Sequence, residues 1–485
     1  MAELLYTLRD RLQDPAIPWK TVLVGSVVAS EVFETYIGSR QRPYLSSVLY
    51  PTLPAALKPY LTASDAHDTY RKSQAYARHK LNFGSVLSII DLAQTAILLS
   101  GVSAPVVSAL GFDVRTRDWT LLKGFWDASA LVPGAGASEI KQSMAFVALM
   151  TVVSSILSVP TSYYRNFVLE EKHGFNKMTR ATFVKDFFKS LFVSMLLEVP
   201  LVGGILKIIH WAGQDAILRI VSWTIAFIFV VQLAMIFVYP YFIAPLFNKF
   251  TPLAKDSPVY PRVEALAKRL NFPLASVWVI DGSTRSSHSN AYFYGLPFLS
   301  KNIVIFDTLL EKSTPEAVEA ILAHELGHWK GSHIVYLLGT SLLQVAFSLS
   351  TFSLLLTNRP LLSSFGFHAP LSEKLLHPLS HSTGPTIIAL FLASALFTPL
   401  SAFLKFLTNT LTRRLEYDAD AFAVKLGPSY ARNLKKALVT IHEKNLAVYA
   451  VDPVYSAYNH NHPTLVERLE ALDAGLDKSG EKKVE

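Results

Sequence analysis

Apolar stretches long enough to cross a bilayer recur along this chain, and they constrain its fold more than any other feature. A hydrocarbon core roughly 30 Å thick takes about 20 helical residues to span. Seven stretches reach that length, near residues 19–39, 84–108, 142–163, 187–209, 219–243, 333–357 and 385–408. Composition agrees: 51% of the 485 residues are hydrophobic and only 17% are charged, the balance of a polytopic helical membrane protein. Four carboxylates fall inside spans: Glu31 and Glu34 in the first, Asp91 in the second and Glu198, near Pro200, in the fourth. A lipid-facing carboxylate costs several kcal/mol, so these four are expected to face protein or water, either across helix pairs or into a water-filled space. No basic, apolar and small-residue cleavage pattern opens the chain, so the first span is expected to stay as an anchor. Cysteine is absent, which excludes disulfide and thiolate chemistry.

Lysine and arginine set an expected orientation through the positive-inside rule. They are dense after span one, from Arg40 to Lys80, and after span three, where Arg165, Lys172, Lys177 and Arg180 lie. They are sparse after span two, with Arg115, Arg117 and Lys123, and after span six, with Arg359 and Lys374. The segments from about 244 to 332 and from 410 onward are basic. Seven spans accommodate this alternation, with a luminal N-terminus and a cytosolic C-terminus. The net charge of +8 then reads as topology determinants and contact with anionic lipid headgroups, not as nucleic-acid binding. The start of span six and the end of span seven emerge on one side, so residues near 325 can meet residues near 415.

That juxtaposition bears on "AHELGHW", residues 323–329. His324 and His328 are four residues apart, so on a helix both imidazoles face the same way and can ligate one tetrahedral ion. Glu325 can reach a water there without being a ligand. This is the H-E-x-x-H pattern of zinc metallopeptidases. Upstream, Ser313 and Glu316 are spaced as a capping box, or Thr314 is the N-cap with Pro315 in the first turn, so the motif is expected on a helix. Just after span seven, "RRLEYDADAFA" sets Glu416 and Asp420 four residues apart. An isolated pair of this kind is usually a solvated helix face. The shared membrane face instead makes Glu416 the candidate third ligand and Asp420 the acceptor that orients a ligand imidazole. One Zn2+ ion held this way activates water and polarises a carbonyl while Glu325 moves the proton, which hydrolyses a peptide bond.

These blocks, together with "LEEKHGFNKMT" after span three, "YPYFIAPLFNKFTPL" at the end of span five, "HSNAYFYG" and "NHNHPTLVERL", resemble the type I CAAX prenyl proteases, integral-membrane zinc metallopeptidases. The resemblance covers nearly the whole chain. It implies His324, His328 and Glu416 as zinc ligands, Glu325 as catalytic base, Asp420 as a supporting residue, His462 near the transition state and Arg468 close to Glu416. It further implies seven transmembrane helices around an intramembrane chamber, capped on the cytosolic side by a small α/β zinc metallopeptidase domain. Substrates would be prenylated CAAX proteins or peptides, losing a C-terminal tripeptide, with a second, N-terminal cleavage of certain precursors.

Three β-rich runs are expected near 276–280, 289–294 and 302–306. The middle one, Asn290 to Tyr294, can present an unpaired edge to an extended peptide; the resemblance supports Asn290 and Ala291 in that role, against an internal structural strand. The chain thus divides into residues 1–243 with spans one to five, 244–332 with the sheet and the H-E-x-x-H helix, 333–408 with spans six and seven, and 409–485 completing the zinc site. Lys482 and Lys483 resemble a dilysine address for the endoplasmic reticulum, and the chain is expected to act as a monomer in that membrane or the inner nuclear membrane. Two other readings compete: a broader quality-control zinc protease of the HtpX type, which has fewer spans, and a non-catalytic scaffold or transporter, for which Glu325 has no use.

Overall fold

The computed structural model describes residues 2–46, 54, 57–59, 66–100, 119–213, 216–295, 299–368 and 384–478. Arg115, Arg117, Lys374, the far end of the expected second span and the dilysine tail lie outside the described residues. Among those described, six helices are long and apolar enough to cross a membrane, and a seventh span is a bent pair of helices.

The first five are α1 (Trp19–Gln41), α2 (Ala66–Leu99), α3 (Glu139–Tyr164), α4 (Arg180–Ala212) and α5 (Ile217–Val238). Helix α2 begins well before the apolar stretch, so its first turns, rich in Arg, Lys and His, extend the span into the polar side. Ser138 caps α3 by accepting from the Lys141 amide, and Thr179 caps α4 by accepting from the Thr182 amide. Pro160 and Pro200 sit inside α3 and α4 without ending them, since in hydrocarbon no water is at hand to replace the remaining backbone hydrogen bonds on either side of the ring.

The segment after α5 folds as a mixed sheet with helices on it: β1 (Phe250–Pro252), α6 (Tyr260–Leu270), β2 (Leu274–Ile280), β3 (Ala291–Tyr294), β4 (Lys301–Phe306) and α7 (Pro315–Lys330). The order is β1-β2-β4-β3; β2 and β4 run parallel, and the outer strands pair antiparallel to them. The three expected strands are present with slightly different ends. Strand β1 was hidden in sequence, since "FTP" has no alternation of its own and follows the apolar end of α5. Leu266, Val277, Ile303, Ile305, Val318 and Leu322 form the core between sheet and helices.

The chain returns through α8 (His333–Ser353), α9 (Thr386–Leu396) and α10 (Thr398–Leu426), then forms α11 (Pro428–Lys444), α12 (Pro453–Asn459) and α13 (Leu465–Lys478). The seventh span is broken: α9 and α10 meet at 65° around Phe397, where Pro399 opens the new helix at a position that needs no amide donor. Helix α10 then runs unbroken from the span through Glu416 and Asp420. The H-E-x-x-H helix and span six are separate helices. The former stops at Lys330, and Ser332 takes a left-handed conformation before α8 starts.

Burial shows how the spans are assembled. Only 0–17% of each of the six long helices' apolar windows is buried inside the molecule. The buried residues concentrate at the ends. One cluster joins Trp19 at the start of α1, Leu99 at the end of α2, Phe146 early in α3, Ile209 late in α4, Ile220 early in α5, Leu355 just after α8 and Ile388 early in α9. Starts of odd-numbered spans thus pack with ends of even-numbered ones, as the charge alternation requires. The peptidase core lies at the opposite end, and between the two the apolar windows of the spans are mostly exposed. Two of the four intramembrane acids are paired across helices: Glu198 accepts from Thr151 at 2.8 Å, and Glu34 accepts from Tyr458 and lies 3.5 Å from Lys405.

Candidate metal centre

Helix α7 starts where Thr314 accepts from the Ala317 amide and Pro315 takes the first turn, the second of the two caps the sequence allowed; the Ser313 hydroxyl is buried with no partner among the described residues. The helix then lies directly against α10. Gly327 permits this approach, since a Cβ there would sit 3.1 Å from the Ala419 Cα and carbonyl oxygen and from the Phe422 Cβ. With the helices this close, His324, His328 and Glu416 converge.

The separations are His324 Nε2 to His328 Nε2, 3.3 Å; His324 Nε2 to Glu416 Oε2, 3.4 Å; and His328 Nε2 to Glu416 Oε1, 3.3 Å. A tetrahedral ion with bonds of about 2.0–2.1 Å sets its donors about 3.3–3.4 Å apart, so all three edges fit one ion. Glu416 Oε2 is buried and has no hydrogen-bond partner among the described residues, an orphan that a cation satisfies. Three donors leave one tetrahedral position open.

The surrounding residues fix these donors. His324 Nδ1 faces Asp420 Oδ1 at 2.9 Å. Arg468, itself buried, donates to both oxygens of Asp420 at 2.9 and 2.7 Å and approaches Glu416 Oε2 at 3.9 Å, offsetting two carboxylates that would otherwise repel. His462 Nε2 stands 3.3 Å from Glu416 Oε1, with its Nδ1 2.8 Å from Asn461 Oδ1. Burial pushes the Glu325 carboxyl above its ordinary range, and nearby Glu416 adds to this against the pull of His324 and His328.

Sequence reading missed His333. Its Nδ1 lies 2.8 Å from His328 Nδ1, so it does for His328 what Asp420 does for His324. The contact depends on the break between α7 and α8: a Cβ on Gly331 would lie 2.3 Å from His333 Nε2, so only glycine lets the ring fold back. No helical periodicity connects positions 328 and 333.

Strand β3 is the sheet edge, as expected. The Phe306 amide donates to the Asn290 carbonyl at 3.0 Å, so antiparallel alternation turns the backbone groups of Ala291 and Phe293 towards the open side. The Asn290 side chain accepts from the Ala291 amide at 2.8 Å, covering that donor. The arm leading into β3 is tied to the loop after α3 and to the second turn of α4. Arg285 donates to both oxygens of Asp186 at 2.8 and 3.0 Å, the Lys177 amide donates to the Arg285 carbonyl at 3.1 Å, and the Ser287 amide to the Phe175 carbonyl at 3.2 Å. Phe175 also stacks on His288 at 4.3 Å. "EKHGFNK", which sequence alone left without a task, is thus the membrane-side anchor of the strand edge.

Three donors that converge on one position, a half-buried carboxylate beside them and a strand edge unpaired among the described residues form a constellation suited to peptide hydrolysis, here mounted on helices that cross a membrane. Fold and site define an integral-membrane metallopeptidase. Residues 47–249 match the family model described as CAAX prenyl protease N-terminal, five membrane helices, and residues 254–475 match Peptidase family M48. The chain is 38% identical to CAAX prenyl protease 1 of Saccharomyces cerevisiae over 98% of its length and 99% of that protein's. It is 32% identical to the CAAX prenyl protease 1 homolog of Homo sapiens, over 91% of its length and 92% of that protein's. The crystal structure of S. mikatae Ste24p superposes with a TM-score of 0.81 at 38% identity, covering 95% of this chain and all of that one. The chain belongs to the CAAX prenyl protease 1 family of M48 metallopeptidases.

Proposed function

We propose that this protein is a zinc endopeptidase that removes the C-terminal tripeptide from prenylated CAAX proteins, with a second, N-terminal cleavage of certain prenylated precursors. The observation that carries the reading is the convergence of His324, His328 and Glu416 at the mouth of a set of spans whose whole-length relatives bear that name. The five-helix N-terminal match and the full-length coverage favour it over a quality-control protease with fewer spans.

His324, His328 and Glu416 would hold the zinc. When bound, the metal supplies Lewis acidity that makes water acidic and the scissile carbonyl electrophilic. Glu325 takes the proton from water and returns it to the leaving amine; a carboxyl raised by burial is suited to both transfers. His462, next to Glu416, is placed to donate to the oxygen on which negative charge develops. Asp420 and Arg468 hold His324 in the tautomer that presents Nε2, and His333 does so for His328. The edge of β3 at Asn290 and Ala291 binds the substrate as an added antiparallel strand.

The division into residues 1–243, 244–332, 333–408 and 409–485 follows these roles. The protein acts as a monomer among lipids of the endoplasmic-reticulum or inner nuclear membrane, with a luminal N-terminus and the metal centre and C-terminus in the cytosol, where newly prenylated chains reach it. The test is tripeptide release from a farnesylated CAAX peptide by purified protein in detergent, beside the unfarnesylated peptide, a zinc chelator and Glu325→Gln. Prenyl-favoured cleavage abolished by chelator and mutation supports the reading, and equal cleavage of both peptides points to quality control.

A further inference from the structure

Between α8 and α10 lies a groove of about 620 Å3. Ser341, Gln344, Ser348, Thr408 and Asn409 line it with hydroxyls and amides, and Lys405 is the one charged side chain among its described lining residues. Val345, Leu349, Phe352 and Leu404 form most of the rest of the wall, so the groove offers apolar surface to side chains, a few polar atoms to a peptide backbone and one cation to a negative charge. The groove is cut into the element that carries Glu416. Counting back along α10 from that residue, Asn409 is about two turns and Lys405 about three turns away, so all three lie on one face, with Lys405 about 16 Å along the axis. Three extended residues reach about 10 Å, and with a polar contact of about 3 Å at each end they bridge that distance.

Lys405 is held in position and still open to the groove. Its ammonium donates to Asn459 Oδ1 at 2.9 Å, sits 4.0 Å from the Tyr458 ring centre and lies 3.5 Å from Glu34, yet its side chain is 40% exposed. Glu34 and Asn459 line the cavity on the other side, between α1 and α2, and Glu34 is absent from the groove wall. Asn459 stands three residues before His462, which faces Glu416, so the segment that fixes the cation also reaches the metal centre. A lysine at membrane depth is costly unless it has a task.

We propose that this groove binds the three residues released from the substrate's C-terminus, and that Lys405 reads their free carboxylate. The assignment rests on the CAAX reading above and deepens it. It makes the terminal charge, as well as the prenyl group, a condition for efficient cleavage.

The experiment compares two farnesylated CAAX peptides, one ending in a carboxylate and one in an amide, on purified full-length protein in detergent. A charge-assisted contact gives the acid a kcat/KM advantage of about tenfold to a hundredfold. Lys405→Gln lowers the acid to the level of the amide, and Lys405→Arg restores most of the preference. The free tripeptide acid binds the Glu325→Gln protein by calorimetry and loses that binding when Lys405→Gln is added. Equal cleavage of acid and amide by the unaltered protein overturns the assignment without any variant. So does a Lys405→Gln protein in which both peptides fall together, which assigns the lysine to pairing with Glu34 alone. An enzyme indifferent to the prenyl group fails the CAAX reading; one that requires the prenyl group and ignores the terminal charge fails only this inference.

Discussion

Glu325 is half-buried beside His324 and contributes none of the three converging donors, so its removal separates chemistry from metal binding. Glu325→Gln is expected to lower kcat by about a hundredfold to ten thousandfold, with metal content by elemental analysis unchanged. Loss of the metal along with activity would contradict the assignment. His333 makes the opposite prediction. His333→Ala frees the His328 ring, so metal affinity in a chelator competition falls by about tenfold to a hundredfold, and added metal recovers activity. The four residues of the centre and Asp420 were legible in sequence because fixed spacing on a helix carries them. His462 and Arg468 came only through family resemblance, for nothing in "NHNHPTLVERL" fixes where the loop folds. His333 was illegible, since its contact depends on a left-handed Ser332 and a glycine that no periodic pattern announces.

Among elements, the strands and the capped α7 followed from local composition, whereas the pairing order and β1 required the tertiary fold. A three-residue strand is defined by its partner, here β2. The bend between α9 and α10 has a local sign in Pro399, but that sign was masked by the continuous apolar run around it. The arm from Asp281 to Asn290 shows the consequence of such long-range assembly, because the loop after α3 and the second turn of α4 hold the arm that leads into β3. Breaking the hold at Arg285 should act on binding more than on chemistry. Arg285→Gln is expected to raise KM by about tenfold with a much smaller change in kcat, the contact being a bidentate charged one worth about 1.5–3 kcal/mol. Exchanging the charges, Asp186→Arg with Arg285→Asp, recovers part of the loss. An equal fall in kcat at unchanged KM would show that the arm positions the metal centre instead of the substrate.

Over the whole molecule, the charge pattern predicted which loops share a side, and the apolar cluster at the far end of the spans agrees with it helix by helix. Sequence could not reveal that burial is confined to two ends, because an apolar residue facing lipid, chamber or protein looks the same in a hydropathy profile. Which side faces the cytosol is a separate matter, set by charge and not by packing. The absence of cysteine makes it measurable, since any introduced thiol is unique. Lys172→Cys, in the basic loop after α3, and Leu131→Cys, 82% exposed in the loop before it, lie at opposite ends of one span. In sealed microsomes, a membrane-impermeant maleimide should label Cys at 172 at once and at 131 only after permeabilisation. The reverse pattern would place the metal centre in the lumen, away from cytosolic prenylated chains, and would remove the physical basis for CAAX processing even with every residue of the site intact.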